Sequence, residues 1–117
     1  MTHWLVALVL AAPSIGFARL PAGLPCANWP TSMAEVKLQN ARLIKIAQLD
    51  ESKTTATPLS VEKIGKDLYR QVFDITLHSR SGQEFHVITV NSASSVECSM
   101  SGVVVYLVSR KFGADGP

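Results

Sequence analysis

The chain carries two cysteines, Cys26 and Cys98, and three histidines. Thiols and imidazoles are the groups here that could serve as nucleophile and base, or as metal ligands. Around Cys98 the stretch SSVECSMSG (94–102) is crowded with small polar residues, as the surroundings of catalytic nucleophiles often are. A reactive thiolate, however, needs positive charge nearby and a base within hydrogen-bond reach. The sequence neighbour is instead Glu97, and a carboxylate works against thiolate formation. The local motifs of cysteine proteases are absent. With neither a CxxC nor a His-x-His pair, the two cysteines also lack the spacing of a metal site. An even count in a small domain favours the third chemistry, a Cys26–Cys98 disulfide. Closing so long a loop stabilises a fold by roughly 4 kcal/mol in the chain-entropy treatment.

His78, Glu84 and His86 form the second constellation. LYRQVFDITLHS (68–79) alternates, with Tyr69, Phe73, Ile75 and Leu77 on one face and Arg70, Asp74, Thr76 and His78 on the other. EFHVITV (84–90) reads as its hairpin partner, and Arg80-Ser81-Gly82-Gln83 as the turn, with Gly82 supplying positive φ. A three-residue turn ending at Gly82 sets His78 opposite Glu84 and His86 opposite Thr76. All three then share a face with Asp74, a candidate surface metal patch. A two-residue turn slips the register and separates the histidines. The expectation is a solvated outer face with no metal, cofactor or catalytic residue. Gly-x-Ser-x-Gly, His-Glu-x-x-His and phosphate-cradling glycine loops are missing.

These residues sit in a chain whose first 18 positions, MTHWLVALVLAAPSIGFA, differ from the rest. The apolar run Trp4–Ala12, then Pro13, then the small residues Gly16 and Ala18 describe a signal peptide with cleavage between Ala18 and Arg19. The run is far short of the roughly twenty apolar residues a bilayer span needs. Proline before Cys26 argues against lipidation there. The expectation is an exported protein, periplasmic or extracellular, with one small domain over 19–117 and no stable membrane insertion once the leader is removed. The oxidising compartment suits the disulfide. Net charge is only +2, with 11 basic residues interspersed among 9 acidic ones, and aromatic content is 7%. Neither a basic footprint nor stacking platforms are present, which sets nucleic acid aside as a partner. The partner expected is another protein.

The elements read as follows. Arg19–Pro30, rich in proline, is an extended lead-in. Ser32 and Glu35 have capping-box spacing, predicting a short helix from Met33 to about Gln39 and then a strand from Ala41 to Leu49, although 33–49 could also be all helix or all strand. ESKTTATPLS (51–60) reads as a mobile polar loop, NSASSVECSMSG (91–102) as a polar connection, and 112–117 as a frayed tail. The apolar run VVVYLV (103–108) reads as a strand covered on both faces or central in its sheet. The fold class is α+β, β-dominated: an antiparallel sheet of three to four strands, a short N-terminal helix and one disulfide.

DLYRQV (67–72), VITV (87–90) and ECSMSGVVVY (97–106), in that order, resemble small exported proteins of Gram-negative bacteria of an uncharacterised family. The resemblance spans roughly 60–110 and implies export without implying an activity. In architecture the chain is also similar to colicin M immunity protein and YebF-like secreted proteins, which pair a leader and two cysteines with a small antiparallel sheet. Those proteins have a helix soon after the first cysteine, where this chain has Asn28-Trp29-Pro30. The expected function is a non-enzymatic exported binding protein, inhibitor- or immunity-like. The alternatives are a small metal-dependent hydrolase using His78, Glu84 and His86, and a surface-displayed structural protein of the envelope. Were VVVYLV at a sheet edge, it could add a partner strand; as a core strand it would not.

Overall fold

A computed structural model describes residues 19–108. The leader with its cleavage site after Ala18 and the tail 112–117 lie outside the described residues. One helix, α1 (Asn28–Asn40), precedes four strands: β1 (Thr55–Gly65), β2 (Leu68–His78), β3 (Glu84–Ala93) and β4 (Val104–Val108). The strands form one antiparallel meander in the order β1-β2-β3-β4. The protein is therefore α+β and β-dominated, as expected, and the Cys26–Cys98 disulfide is present.

Alternation in β2 decides which face is covered. Tyr69, Phe73, Ile75 and Leu77 are all buried, as is Val87 on β3. Ala34 and Leu38 of α1 pack on Phe73, Ile75, Leu77 and Val87, with Ile44 and Leu49 completing the cluster. Leu24, Tyr69 and Ala93 make a second, smaller cluster under the N-terminal segment.

Five local readings need correction. The helix begins at Asn28, inside the expected lead-in, and Ser32 and Glu35 lie within it rather than at its cap. Pro30 falls in the first turn, where a missing N–H costs nothing, and the N-cap Ala27 supplies no side-chain hydrogen bond. No strand follows at 41–49. The helix ends in a Schellman-type turn, with Arg42 N–H on Gln39 O and Leu43 N–H on Leu38 O, both 2.9 Å. Arg42 takes φ 62° there, the left-handed position glycine usually fills. A 3-10 turn at Ile46–Gln48 and a single bridge from Leu49 to Ser79 complete the segment.

Of the supposed loop 51–60, Glu51–Lys53 form a 3-10 turn and residues 55–60 open β1. Pro58 coincides with a register irregularity between Pro58 and Ser60, and a second lies between Lys63 and Gly65. An edge strand tolerates proline where no ladder bond is required. β3 also runs on to Ala93, so the polar connection starts only at Ser94.

Finally, VVVYLV is neither central nor covered on both faces. Val103 is buried, but Val104–Val108 forms β4 at the edge of the sheet. A meander must end on an edge strand, and α1 lies on the inner face only.

Candidate functional site

The first candidate residues, Cys26 and Cys98, are joined, with Cα atoms 5.5 Å apart. Their surroundings hold something the residue types around Cys98 did not announce. Gln71 and Asn91 project from β2 and β3 into the protein between the two apolar clusters, both buried. Gln71 Oε1 accepts from Cys26 N–H at 2.7 Å, and Gln71 Nε2 donates to Cys26 O at 3.2 Å. The same Nε2 reaches Asn91 Oδ1 at 3.2 Å, and Asn91 Nδ2 donates to Cys98 O at 3.0 Å. Two amide side chains thus hold the backbones of both cysteines at the sheet. The serines around Cys98 do loop work: Ser92 N–H donates to Ser101 Oγ at 2.9 Å, and Ser94 Oγ accepts from Glu97 N–H at 3.0 Å. This is a structural centre, with the sulfurs consumed in the bond.

The second candidate set is brought together. Ser79 N–H donates to Gln83 O at 2.9 Å, and Gly82, at φ 94°, closes the three-residue turn inside that pair. His78 therefore pairs with Glu84, and Thr76 with His86. Glu84 stands between the imidazoles, Oε1 3.7 Å from His78 Nδ1 and Oε2 3.4 Å from His86 Nε2. Thr76 Oγ1 holds His86 Nδ1 at 3.0 Å. His86 and Glu84 are exposed, and among the described residues no group of three histidines, cysteines or carboxylates has the geometry to hold a metal ion.

Strand pairing assembles the rest of this outer face in rows. Ser60, Val72, Val90 and Val104 lie side by side across the four strands; the next row is Thr57, Asp74, Ile88 and Tyr106; the next is Thr55, Thr76, His86 and Val108. In each row the residue on β1 is polar and the one on β4 apolar. An apolar band consequently runs along β4 and the adjoining Ile88 and Val90 of β3, where Val104, Tyr106 and Val108 are 47, 58 and 49% exposed. Beside it lies a shallow groove of about 340 Å³ bordered by Ile64, Arg70, Val90 and Val104. Among the described residues no strand pairs with the outer edge of β4. Lys37 of α1 reaches its start, donating to Val103 O at 2.6 Å.

The two sheet edges differ in character. β1 carries Pro58, two register irregularities and the charged Glu62 and Lys63, devices that discourage strand pairing. β4 has no charge, proline or glycine in its five residues.

One titratable group stands apart from this face. Glu35 Oε1 on α1 is buried without a hydrogen-bond partner. Burial, and secondarily a hydrogen bond with Glu51 and its charge, push the Glu35 carboxyl up from 4.5 to about 7. The folded chain then holds a proton that the unfolded chain has already released between those two values. Stability should fall as pH rises through that window and level off above it. Because Glu51 is exposed and solvent screens the pair, the expected loss is about 1–2 kcal/mol, below the full shift. Glu35→Gln should abolish the fall and stabilise the protein at pH 8. Urea midpoints at pH 5 and pH 8 measure both effects, and equal wild-type midpoints would contradict them.

Compared with known proteins, this chain matches no family model, no curated protein and no solved structure.

Proposed function

We propose that this is an exported, non-enzymatic interaction protein whose binding surface is the β4 edge with the adjoining apolar band. The observation that carries it is the position of Val104–Val108: an uncharged, apolar strand at a sheet edge with which no strand pairs among the described residues. Such an edge presents alternate N–H and C=O groups in a row, to which an extended segment of another protein can add as a fifth strand. Main-chain hydrogen bonds would supply affinity, while Tyr106 and its apolar neighbours would supply selectivity. An inhibitor- or immunity-like role, in which one partner is held specifically, suits this surface. Export is part of the proposal, and the disulfide is compatible with it.

Photo-crosslinking in intact producing cells tests the surface. A photoreactive residue replacing Tyr106 should give, beside any adduct between two copies of this chain, one dominant adduct with a different protein, and one replacing Glu62 on β1 should give none. Equal adducts from both positions, or none from 106, would sink the reading. Intact mass tests the compartment: a chain starting at Arg19, alkylated only after reduction, is expected, whereas a full-length chain with two free thiols would refute export.

A further inference from the structure

Resting on the reading of β4 as a strand acceptor, we infer that its resident occupant is a second copy of this chain, added antiparallel through β4 about a two-fold axis at Tyr106. The argument comes from the strand's own sequence. With Tyr106 opposite its symmetry mate, Val104 stands beside Val108 of the second copy, and Val105 beside Leu107. Every cross-strand pair is then apolar on apolar, on both faces, and no like charges meet. A two-fold contact requires such self-complementarity, because each side of the interface is the same patch. A frame shifted by two residues would set Tyr106 opposite Val104 or Val108 and shorten the ladder within the strand from five pairs to three.

The inner face continues across the junction as well. Val105 packs on the main core, and Leu107 is 38% exposed, so the second copy's Leu107 would extend that core over the partner's Val105. The outer bands of the two copies would join into one stripe over an eight-stranded sheet. Nothing comparable is available at β1, where Pro58 and the irregular register interrupt a ladder and the charged Glu62 and Lys63 break the run of apolar pairs.

Five residues of strand addition cover less than the ~800 Å² per partner of a standard interface. The dimer should therefore be reversible, with a Kd on the order of 10 µM. It would keep the edge covered when no other partner is present, and a partner strand would have to compete for the same ladder.

The register makes the proposal testable by charge exchange. Sedimentation of the purified, host-processed protein across 1–300 µM should show a monomer–dimer equilibrium. Y106K, which sets two lysines directly opposite each other, should weaken it at least tenfold. V104E alone and V108K alone should weaken it too, by replacing an apolar cross-strand pair with a charge set beside valine. Combined in one chain, V104E and V108K face each other across the two-fold axis, twice per dimer, and should restore dimerisation to within about threefold of wild type. These positions are exposed, so each variant should melt within a few degrees of wild type, which shows that it is folded.

A monomer at every concentration overturns the inference, whether another part of the chain covers β4 or nothing does. So does a dimer indifferent to Y106K, or one not recovered in the double variant. A monomeric protein that still gives a heterologous adduct from position 106 would overturn this inference and leave the proposed function standing. Failure of both would remove β4 as an acceptor altogether.

Discussion

Replacing Cys26 and Cys98 together by serine is expected to lower the unfolding free energy by roughly 4 kcal/mol, the chain-entropy value for a loop of 72 residues. Domains of this size have only 5–15 kcal/mol in all. The melting temperature should drop by roughly 15–30 °C, at 4–8 °C per kcal/mol. The loss should not abolish folding outright, because the cysteine backbones are held independently of the sulfurs. Gln71 and Asn91 keep their amide contacts to Cys26 and Cys98 whether or not the bond is formed. Equilibrium urea unfolding of the oxidised protein, the reduced protein and the double serine variant measures the effect. An unchanged midpoint after complete reduction would show that the bridge constrains nothing in the unfolded chain that matters.

Gln71→Leu carries the second large effect. Its carboxamide makes three hydrogen bonds in a place without solvent: from Cys26 N–H, to Cys26 O and to Asn91 Oδ1. Leucine fills the volume but leaves those groups without partners, each at a cost of about 1–3 kcal/mol. Some will find water once the region loosens, so the expected net loss is about 3 kcal/mol. Asn91→Leu should cost a similar amount by freeing Cys98 O and Gln71 Nε2. The two losses should not add, because the residues share one network. A double-mutant cycle in urea would show coupling of at least about 1 kcal/mol. Strict additivity, or a Gln71→Leu loss within the error of a surface substitution, would mean that the pair does not act as a clamp.

Gln71 also illustrates how far residue pattern reaches. Alternation in β2 places position 71 on the same face as Tyr69 and Phe73, so its burial was there to be read. What it touches was not, because Cys26 lies 45 positions earlier in the chain. A polar residue on an apolar face is a signal for a buried network, and its partners come from whatever the topology brings across.

Several features follow from the sequence by itself. The inner face of β2 follows from the period-two run Phe73, Ile75 and Leu77, because only one register puts these three out of water together, and Gln71 follows them onto that face. The hairpin at Gly82 follows from a residue free to adopt φ 94°, but the sequence allows a two- or three-residue turn, and only the strand pairing shows the three-residue closure that brings His78, Glu84 and His86 onto one face. The disulfide follows from parity, since two cysteines leave one pairing.

The tertiary structure decided the rest. The polar segment at 55–60 shows no hydropathy period, because the outward-facing residues of an edge strand have no core to meet; neighbouring β2 makes it a strand. Pro30 breaks a helix in general and starts one here, a distinction set by where the first turn falls. The run VVVYLV has the same composition whether a sheet surrounds it or stops at it. Its exposure comes from chain order alone: a meander β1-β2-β3-β4 ends there, and α1 covers only one face. Local interactions choose strand and turn, but which strand is left at the edge is a property of the whole connection path. The proposed activity rests on that edge.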